Sequence, residues 1–288
     1  MKQDGRLTLS GRRMAEFPLE PSLSKCVIRA SALGCLRHMA IAVAMLSLDS
    51  IFVVTRDPKE RVAMASARDK LFSSGNGDVT GYVRLMEEWL RAGPLQQEFC
   101  DSHYVNARSL LRARDVLDQI LKTCERIGLD LSAVQESDTF PIEPFTKSLL
   151  AGFFMNVSVL SFDKRTYLVV RPIDSSAGRV IPTGFGANGG GPGDCDTAIA
   201  ELHPSSYLFQ RGMNTNADKR GKFSAPPSAQ AADERPHLVV FTQLRCTKKR
   251  YMMHVTAIPC AEWVLDMAPV NYFTKEELEA NLRKRKHG

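Results

Sequence analysis

Two groups of basic residues have the types and spacing that a polyanion-binding surface needs. The first lies on a periodic segment that predicts a helix from Asn106 to Ile127. Cations that recur along one helix face are suited to follow the phosphates of a nucleic acid. A solvated helix face without a ligand is the alternative interpretation. The polar face of this helix carries Asn106, Arg108, Arg112, Arg114, Lys122 and Arg126.

The second group lies between two candidate strands, where a turn places cations beside an aromatic ring. Small barrels hold single-stranded nucleic acid with such groups, because cations bind the phosphates and rings stack on the bases. A solvated hairpin tip is the alternative. The residues of this group are Arg245, Thr247, Lys248, Lys249, Arg250 and Tyr251. A third basic run, Arg283 to Lys286, fits either a nuclear-import signal or a frayed C-terminus.

Patterns that would support catalysis are missing or lack their structural context. Residues 184–189 match GxGxxG, but the glycine- and proline-rich stretch at 190–193 cannot begin the helix that a dinucleotide site requires. No GxxxxGK[ST] loop occurs, so we expect no ATP hydrolysis by this chain alone. The SxxK pattern at Ser22 to Lys25 is interpreted as a turn that enters a helix. The sequence therefore predicts no catalytic, cofactor-binding or metal-binding residue.

The composition describes a basic chain with enough apolar residues for a buried core. Its 38 Lys and Arg exceed its 32 Asp and Glu, and the net charge of +6 suits a polyanionic partner without requiring one. The 7 cysteines lie far apart without zinc-ligand spacing, which favours a reducing compartment. The longest apolar stretch, Met39 to Leu46, is too short to cross a bilayer, and residues 1–13 do not resemble a signal peptide.

A change in periodicity divides the chain into a helical part and a β part. Four or five packed helices are expected between Pro21 and about Gly128. After the segment 140–144, β-branched and aromatic residues come in short runs that suit a small barrel. Two stretches, 174–196 and 211–235, have the composition of flexible loops. The candidate strands are Leu150 to Leu160, Thr166 to Arg171, Thr197 to Leu202, Leu238 to Cys246 and Arg250 to Ile258.

A series of short motifs runs in order along residues 4 to 273. The motifs are Asp4–Pro21, Leu33–Cys35, Lys70–Phe72 with Gly77–Asp78, Asn106–Leu110, Lys147–Phe154 with Asn156, His203–Ser206, Thr247–Met252 and Trp263–Leu265. In this order they resemble the C-terminal region of DEAH-box ATP-dependent RNA helicases of the pre-mRNA splicing and ribosome biogenesis type. Any one of the motifs is weak, and the resemblance depends on their common order.

The resemblance implies an α+β multidomain fold, in which a ratchet-like helical bundle precedes an OB-fold β-barrel with two long loop inserts. Its domains would be a remnant of a winged helix at 1–20, a helical ratchet domain at 21–141, an OB-fold at 142–273 with inserts at 174–196 and 211–235, and a basic tail at 274–288. The tail is expected to begin with a short capped helix at Thr274.

The implied function is that of an accessory region that grips single-stranded RNA. A RecA-like motor, which this sequence does not include, would bind ATP and Mg²⁺, and the chain itself lacks the P-loop, DEAH and arginine-finger motifs. Expected partners are single-stranded RNA and the motor domains of the same or a split helicase. No membrane partner is expected, and a nuclear location is favoured over a cytoplasmic one. The RNA-facing positions carried over by motif and charge are Asn106, Arg108, Arg112, Thr247, Lys248 and Tyr251.

Several features depart from the pattern of this family. Most of the winged helix is missing, which makes a G-patch activator protein a doubtful partner, and Val79 replaces the histidine that often follows the Gly-Asp motif. Met1 lies where the family's chain is normally continuous, which favours a partial gene product, a truncated gene model or half of a split protein. A stand-alone RNA-binding or scaffold protein that has lost the motor, or a fragment without function, are the alternatives.

Overall fold

The chain separates into two compact units. This computed structural model describes residues 7–48, 50–73, 75–131, 140–170, 173–174, 179–180, 199–211 and 235–279. The first unit spans Met1–Gly152 and the second Phe153–Gly288, so the boundary lies further along the chain than the predicted change at 141–142. No helix among the described residues is long and apolar enough to span a membrane.

The regular elements of the first unit are helices within its described residues, apart from one isolated bridge between Phe52 and Val105. Its helices are α1 (Leu9–Ala15), α2 (Pro21–Ala32), α3 (Leu36–Leu46), α4 (Pro58–Phe72), α5 (Asp78–Arg91), α6 (Gln96–His103), α7 (Ala107–Arg126) and α8 (Ile142–Phe153). Several of these helices have a side-chain cap at their N-terminus. The oxygen of the N-cap residue accepts a hydrogen bond from a backbone N–H that has no partner within the helix. Asp57 caps α4 by accepting from Lys59 N at 2.9 Å, and Pro58 follows at the first helical position.

Helix α3 lies at the centre of the helical unit. Seven successive residues from Met39 to Met45 are fully buried, and the helix packs against α2, α5 and α7. A helix that is apolar on every side is stable only where neighbouring elements cover all of it. Helix α7 contributes one apolar stripe, as its periodicity predicts. The buried residues of that stripe are Leu110, Ala113, Leu117, Ile120 and Cys124.

Close packing of Phe72 on Gly81 joins α4 to α5. A Cβ atom added at Gly81 would lie 2.1 Å from Phe72 Cδ1, so only glycine fits beside the ring. The guanidinium of Arg68 lies 4.7 Å from the ring centroid of Phe52 and 5.0 Å from that of Phe72. Arg68 Nη2 also lies 3.7 Å from Oδ1 of the buried Asp78. These contacts fix the last turn of α4 against the first turn of α5.

Helix α8 packs closely on α2. The thiol of Cys26 donates to the carbonyl oxygen of Leu149, with 3.6 Å between the two atoms. A Cβ atom added at Gly152 would lie 2.3 Å from the carbonyl oxygen of Ser22, so the two backbones approach too closely for any other residue. The predicted strand from Leu150 is therefore wrong over its first residues. An unbroken apolar run fits a buried helix as well as a strand, and periodicity alone does not distinguish them.

Five strands of the second unit form a closed barrel, which confirms the predicted strand number. Their spatial order is β1-β2-β5-β7-β6. Strands β5 and β7 pair in parallel, whereas the other neighbours in the barrel pair antiparallel. The strands are β1 (Val157–Leu160), β2 (Thr166–Val169), β5 (Ile199–Leu202), β6 (Leu238–Cys246) and β7 (Arg250–Ile258), and a separate small ladder pairs β3 (Ile173–Asp174) with β4 (Arg179–Val180).

The barrel core shows where the alternation of side chains along β7 changes phase. Met252 and Val255 both belong to the buried core, although they are three positions apart along the strand. His254 lies between them with φ 54°, in the left-handed region that residues other than glycine rarely occupy. In β6, Phe241 belongs to the core and Leu244 packs against it, again at a spacing of three. The two paired strands therefore change their inward face at the same level.

Two short helices follow the barrel, α9 (Ala261–Met267) and α10 (Lys275–Glu279). Thr274 and Glu277 form a capping box, because Thr274 Oγ1 accepts from Glu277 N at 3.2 Å and Glu277 Oε2 accepts from Thr274 N at 2.8 Å. The predicted capped helix at Thr274 is thus confirmed. Leu278 is fully buried, and its carbonyl oxygen accepts from His237 Nε2 at 3.0 Å.

Some predictions concern residues outside the described part of the chain. The GxGxxG match at 184–189 and the basic run Arg283 to Lys286 lie there, as does most of the predicted inserts 174–196 and 211–235. Strands β6 and β7 have the predicted bounds, whereas β2 ends at Val169 rather than at Arg171.

Replacing Gly81 by alanine should destabilise the helical unit. The added methyl group meets ring atoms of the fully buried Phe72, and overpacking of this kind costs about 1–3 kcal/mol of unfolding free energy. Urea denaturation followed by far-UV circular dichroism measures the loss. Gly11→Ala in α1 is the matched control, because its added Cβ atom would come no closer than 3.4 Å to Thr8 Oγ1. Equal stability of the two variants would show that the ring is not held against α5.

Candidate nucleic-acid interface

The first turn of α7 is fixed by hydrogen bonds on both sides of its N-cap. Asn106 Oδ1 accepts from Arg108 N at 3.1 Å, which is the cap itself. Asn106 N donates to the Ile51 carbonyl oxygen at 2.9 Å, and Ser109 Oγ donates to the Ser50 carbonyl oxygen at 2.7 Å. The predicted RNA-facing residue Asn106 therefore has a structural role, in that it sets the position from which the basic side chains of α7 project.

The exposed side of α7 brings Arg108 and Arg112 together. Both residues are exposed, and their spacing of four places them one above the other on the side opposite the buried stripe. Towards the C-terminal end of the helix, Asp115 and Asp118 are also exposed and reduce the positive charge. Arg126 is engaged elsewhere, because its Nη1 lies 3.2 Å from Glu16 Oε2. The cationic part of this helix is thus concentrated in its first two turns.

The turn between β6 and β7 presents its lysines at the end of a long hairpin. Thr247 N donates to the Lys249 carbonyl oxygen at 2.8 Å, and Thr247 Oγ1 accepts from Lys249 N at 3.4 Å. Thr247 therefore shapes the turn, and Lys248 lies exposed at its tip. The predicted turn between two strands is confirmed, because β6 and β7 pair down to Cys246 and Arg250.

Strand pairing places further side chains beside this tip. Thr166 pairs with Glu201, Glu201 with Tyr251, and Tyr251 with Arg245, which forms one row across β2, β5, β7 and β6. Directly paired residues share a face of the sheet, and an adjacent residue of each strand packs in or against the barrel core, so the row faces outward. These adjacent residues are Tyr167, Leu202, Met252 and Leu244. We call this row, together with two adjoining residues, the barrel patch: Thr166, Glu201, His203, Arg245, Lys249 and Tyr251.

Contacts within the barrel patch order its charged and aromatic groups. Lys249 Nζ donates to Glu201 Oε1 at 2.7 Å, and this bond raises the pKa of the Lys249 ammonium. The rings of His203 and Tyr251 stand nearly perpendicular, with centroids 5.6 Å apart. His203 Nδ1 accepts from Ser205 N at 3.1 Å, which fixes the imidazole. Glu201 and His203 could not be predicted as site residues, because only the strand register brings them to Tyr251.

The turn between β1 and β2 is held by one carboxylate and one guanidinium. Asp163 accepts from Arg165 N and Thr166 N, each at 2.9 Å, and from Thr166 Oγ1 at 2.7 Å. Arg235, which is buried, donates from Nη1 to the Arg165 carbonyl oxygen at 2.7 Å. Partial burial acts to raise the pKa of Asp163, but the hydrogen bonds outweigh it and hold that pKa below its usual range.

The cysteines and other potential ligands do not form a metal site in the described part of the chain. No group of three or more His, Cys, Asp or Glu side chains there is arranged to hold a metal ion. Burial raises the pKa of the Cys26 thiol to about 12 and that of the Cys124 thiol to about 11, so both stay protonated. Cys246, by contrast, is exposed beside the hairpin tip.

Similarity to known proteins extends over both units. The family described as Helicase associated domain (HA2), ratchet-like, matches residues 20–80. The pre-mRNA-splicing factor ATP-dependent RNA helicase DEAH10 of Arabidopsis thaliana is 29% identical over 290 residues, which cover 96% of this chain and 33% of that protein. The ATP-dependent RNA helicase DHX33 of Drosophila melanogaster is 27% identical over 266 residues, which cover 92% of this chain and 30% of that protein. This chain matches the C-terminal region of DEAH-box RNA helicases.

The match confirms the family resemblance stated from the sequence motifs. The chain spans about a third of the length of the DEAH-box relatives it matches. The HA2 segment covers α2, α3 and α4 and ends within the first turns of α5, so it includes the Arg68–Asp78 contact. Arg108, Arg112 and the barrel patch lie outside that segment but within the DEAH-box match, because the latter covers nearly the whole chain.

Replacing Asp163 by asparagine should reduce the acid sensitivity of the barrel unit. A carboxylate with a lowered folded-state pKa stabilises the fold above its unfolded-state pKa, and this contribution is lost as the pH falls towards the folded-state value. The Tm of the wild-type chain should therefore fall more steeply below about pH 4 than that of Asp163→Asn. Asp118→Asn on α7 is the control and should keep the wild-type profile. Parallel curves for wild type and Asp163→Asn would contradict the assignment.

Proposed function

We propose that this chain is the RNA-binding accessory region of a DEAH-box ATP-dependent RNA helicase. It grips single-stranded RNA while a RecA-like motor holds ATP and Mg²⁺ and hydrolyses the nucleotide. The main support is the coincidence of a DEAH-box match over 96% of the chain with exposed cations on α7 and at the barrel patch. The sequence contains no GxxxxGK[ST] loop, so the proposal assigns the ATP chemistry to the motor.

The two units contribute to RNA binding through different groups. On α7, Arg108 and Arg112 lie one helical turn apart and are suited to contact neighbouring phosphates. At the barrel patch, Lys249 and the tip residue Lys248 supply cations, and Tyr251 supplies a ring on which a base stacks. Thr247 takes part indirectly, because it shapes the turn that carries both lysines.

We assign the barrel to the OB-fold class, and two observations support this. The barrel has five strands, and the order β1-β2-β5-β7-β6 with a parallel β5–β7 pair is a Greek-key arrangement rather than a meander. In OB-folds the second and third strands and the loops 1–2 and 4–5 bind oligonucleotides. The corresponding parts here are β2, β5, the turn that contains Asp163, and the hairpin tip that contains Lys248.

The name of one relative supports a place in pre-mRNA processing. One relative is a pre-mRNA-splicing factor, and for this chain we infer a nuclear location and a role with splicing or ribosome-assembly RNA. The motor domains of the same or a split helicase are its proposed protein partner. The helical unit, which includes the HA2 match, is the proposed ratchet domain over residues 21–141.

Binding of single-stranded RNA should be weak, tolerant of sequence and steeply dependent on salt. If about four phosphates are contacted, the slope of log affinity against log salt should be about −3, so a fourfold rise in salt lowers the affinity about 50-fold. Fluorescence anisotropy of a labelled 12-mer measures this slope for the full 288-residue chain. Lys248→Glu and Arg108→Glu should each weaken the binding of all sequences alike and make the slope shallower by about one.

Lys59→Glu is the matched control for these two variants. Lys59 lies exposed in the first turn of α4, and the substitution changes the net charge by the same amount without touching α7 or the hairpin. It should therefore have a much smaller effect than either site variant. A flat salt titration of the wild type, or equal losses in all three variants, would count against the proposal.

Bound RNA should protect Cys246 from alkylation. Cys246 is exposed next to the hairpin tip, so an RNA strand that contacts Lys248 should slow its reaction with iodoacetamide severalfold. Peptide mass mapping after timed labelling, with and without a single-stranded 12-mer, measures the rate at each thiol. Cys260 at the start of α9 is the internal control, and its rate should not change. Equal rates at Cys246 with and without saturating RNA would show that the tip does not contact the strand.

A further inference from the structure

One carboxylate lies within the otherwise cationic and aromatic barrel patch. Glu201 is central in the row across the barrel, between Thr166 on β2 and Tyr251 on β7. Its side chain is 32% exposed, and Lys249 Nζ occupies Oε1. Among the described residues, Oε2 has no hydrogen-bond donor. A surface that served only to bind phosphates would gain nothing from a carboxylate at this position, because the carboxylate repels them.

A carboxylate next to a stacking ring is a hydrogen-bond acceptor for a base. An ionised carboxylate only accepts hydrogen bonds, and its two oxygens offer about four lone-pair sites, so the bond from Lys249 leaves room for two more. Neighbouring strands lie about 4.8 Å apart, which brings the edge of a base on the Tyr251 ring within reach of Glu201. Single-stranded RNA is commonly read in this way, through stacked bases bonded along their Watson–Crick edges.

The bases differ in what they offer to such an acceptor. Guanine presents the N1–H and the N2 amino group side by side, which match the two oxygens of one carboxylate. Cytosine and adenine present one amino group next to an acceptor nitrogen. Uracil presents its N3–H between two carbonyl oxygens, which a carboxylate repels. The order of preference at this position should therefore be guanine first and uracil last.

We propose that Glu201 is a specificity-determining residue that gives the barrel patch a preference for guanine in single-stranded RNA. Tyr251 stacks the base, Glu201 accepts hydrogen bonds from its Watson–Crick edge, and Lys249 binds an adjoining phosphate while it remains close to Glu201. The inference rests on the proposed RNA-binding function and adds a modest base preference to a backbone grip that is otherwise tolerant of sequence.

The test compares 12-mers that differ only in every second base. Fluorescence anisotropy gives the Kd of the 288-residue chain for alternating UG, alternating U-inosine, and uridine alone. The UG strand should bind about fivefold more tightly than the uridine strand, at the lower end of what a bidentate pair contributes because the site is partly exposed. Inosine keeps N1–H and lacks the N2 amino group, so its strand should bind with intermediate affinity.

Two variants separate base reading from backbone binding. Glu201→Gln replaces one acceptor oxygen by a donor and should abolish the preference for guanine while binding to the uridine strand is kept or becomes tighter. Lys248→Glu should weaken binding to every strand by the same factor and keep the preference. Melting curves check that both variants are folded, and Glu201→Ala should repeat the result if the glutamine variant is unstable.

The outcomes distinguish this inference from the function on which it rests. If the wild-type chain binds the three strands equally, or if Glu201→Gln keeps the preference, Glu201 does not read the base, and the RNA-binding proposal still stands. If no strand binds with the expected dependence on salt, the proposed function itself fails.

Discussion

The hydrogen-bonded ladder between β6 and β7 determines which side chains the second unit exposes. The ladder keeps one register from the pair Leu238–Ile258 to the pair Cys246–Arg250. Because side chains alternate along a strand, a slip of one residue would exchange the two faces of the hairpin. Tyr251 and Arg245 would then turn inward, and Met252 would leave the core. The apolar core of the barrel therefore sets the register that places the cationic and aromatic groups outside.

In the helical unit, too, buried apolar residues determine where the exposed basic residues lie. The buried stripe of α7 packs against α3, and this contact decides which side of α7 faces the solvent. The bonds around Asn106 then set the point at which the helix begins. Arg108 and Arg112 make no contribution to that core, so their charge is available for a ligand. Packing of the buried stripe determines the orientation of α7, and the exposed arginines determine the charge of its outer face.

Local patterns in the sequence predicted much of this arrangement. Helix α7 and strands β6 and β7 have the predicted bounds within one residue, because long periodic runs with clear turns between them are the strongest local signal. The start of the barrel was less predictable, since the apolar run after Ser148 fits both a strand and a buried helix.

The candidate site was predictable only in part. The basic residues of the hairpin tip are close together in sequence, so the local sequence was enough to predict a cationic cluster there. Glu201 reaches Tyr251 through a parallel pair of strands that are distant along the chain, and no local pattern encodes that pairing. The role of Asn106 as a helix cap was also visible in principle, because asparagine before a periodic run is a start signal. The family motif and the neighbouring charges led instead to the prediction that Asn106 faces RNA.

The left-handed backbone conformation of His254 helps to fill the barrel core. For a residue with a Cβ atom, this conformation costs about 1–2 kcal/mol. With unbroken alternation, Met252 and Val255 would point to opposite sides and the small barrel would lose part of its filling. The left-handed residue lets both of these side chains of one continuous strand reach the barrel core, so β7 fills the interior at two levels without being divided into two strands.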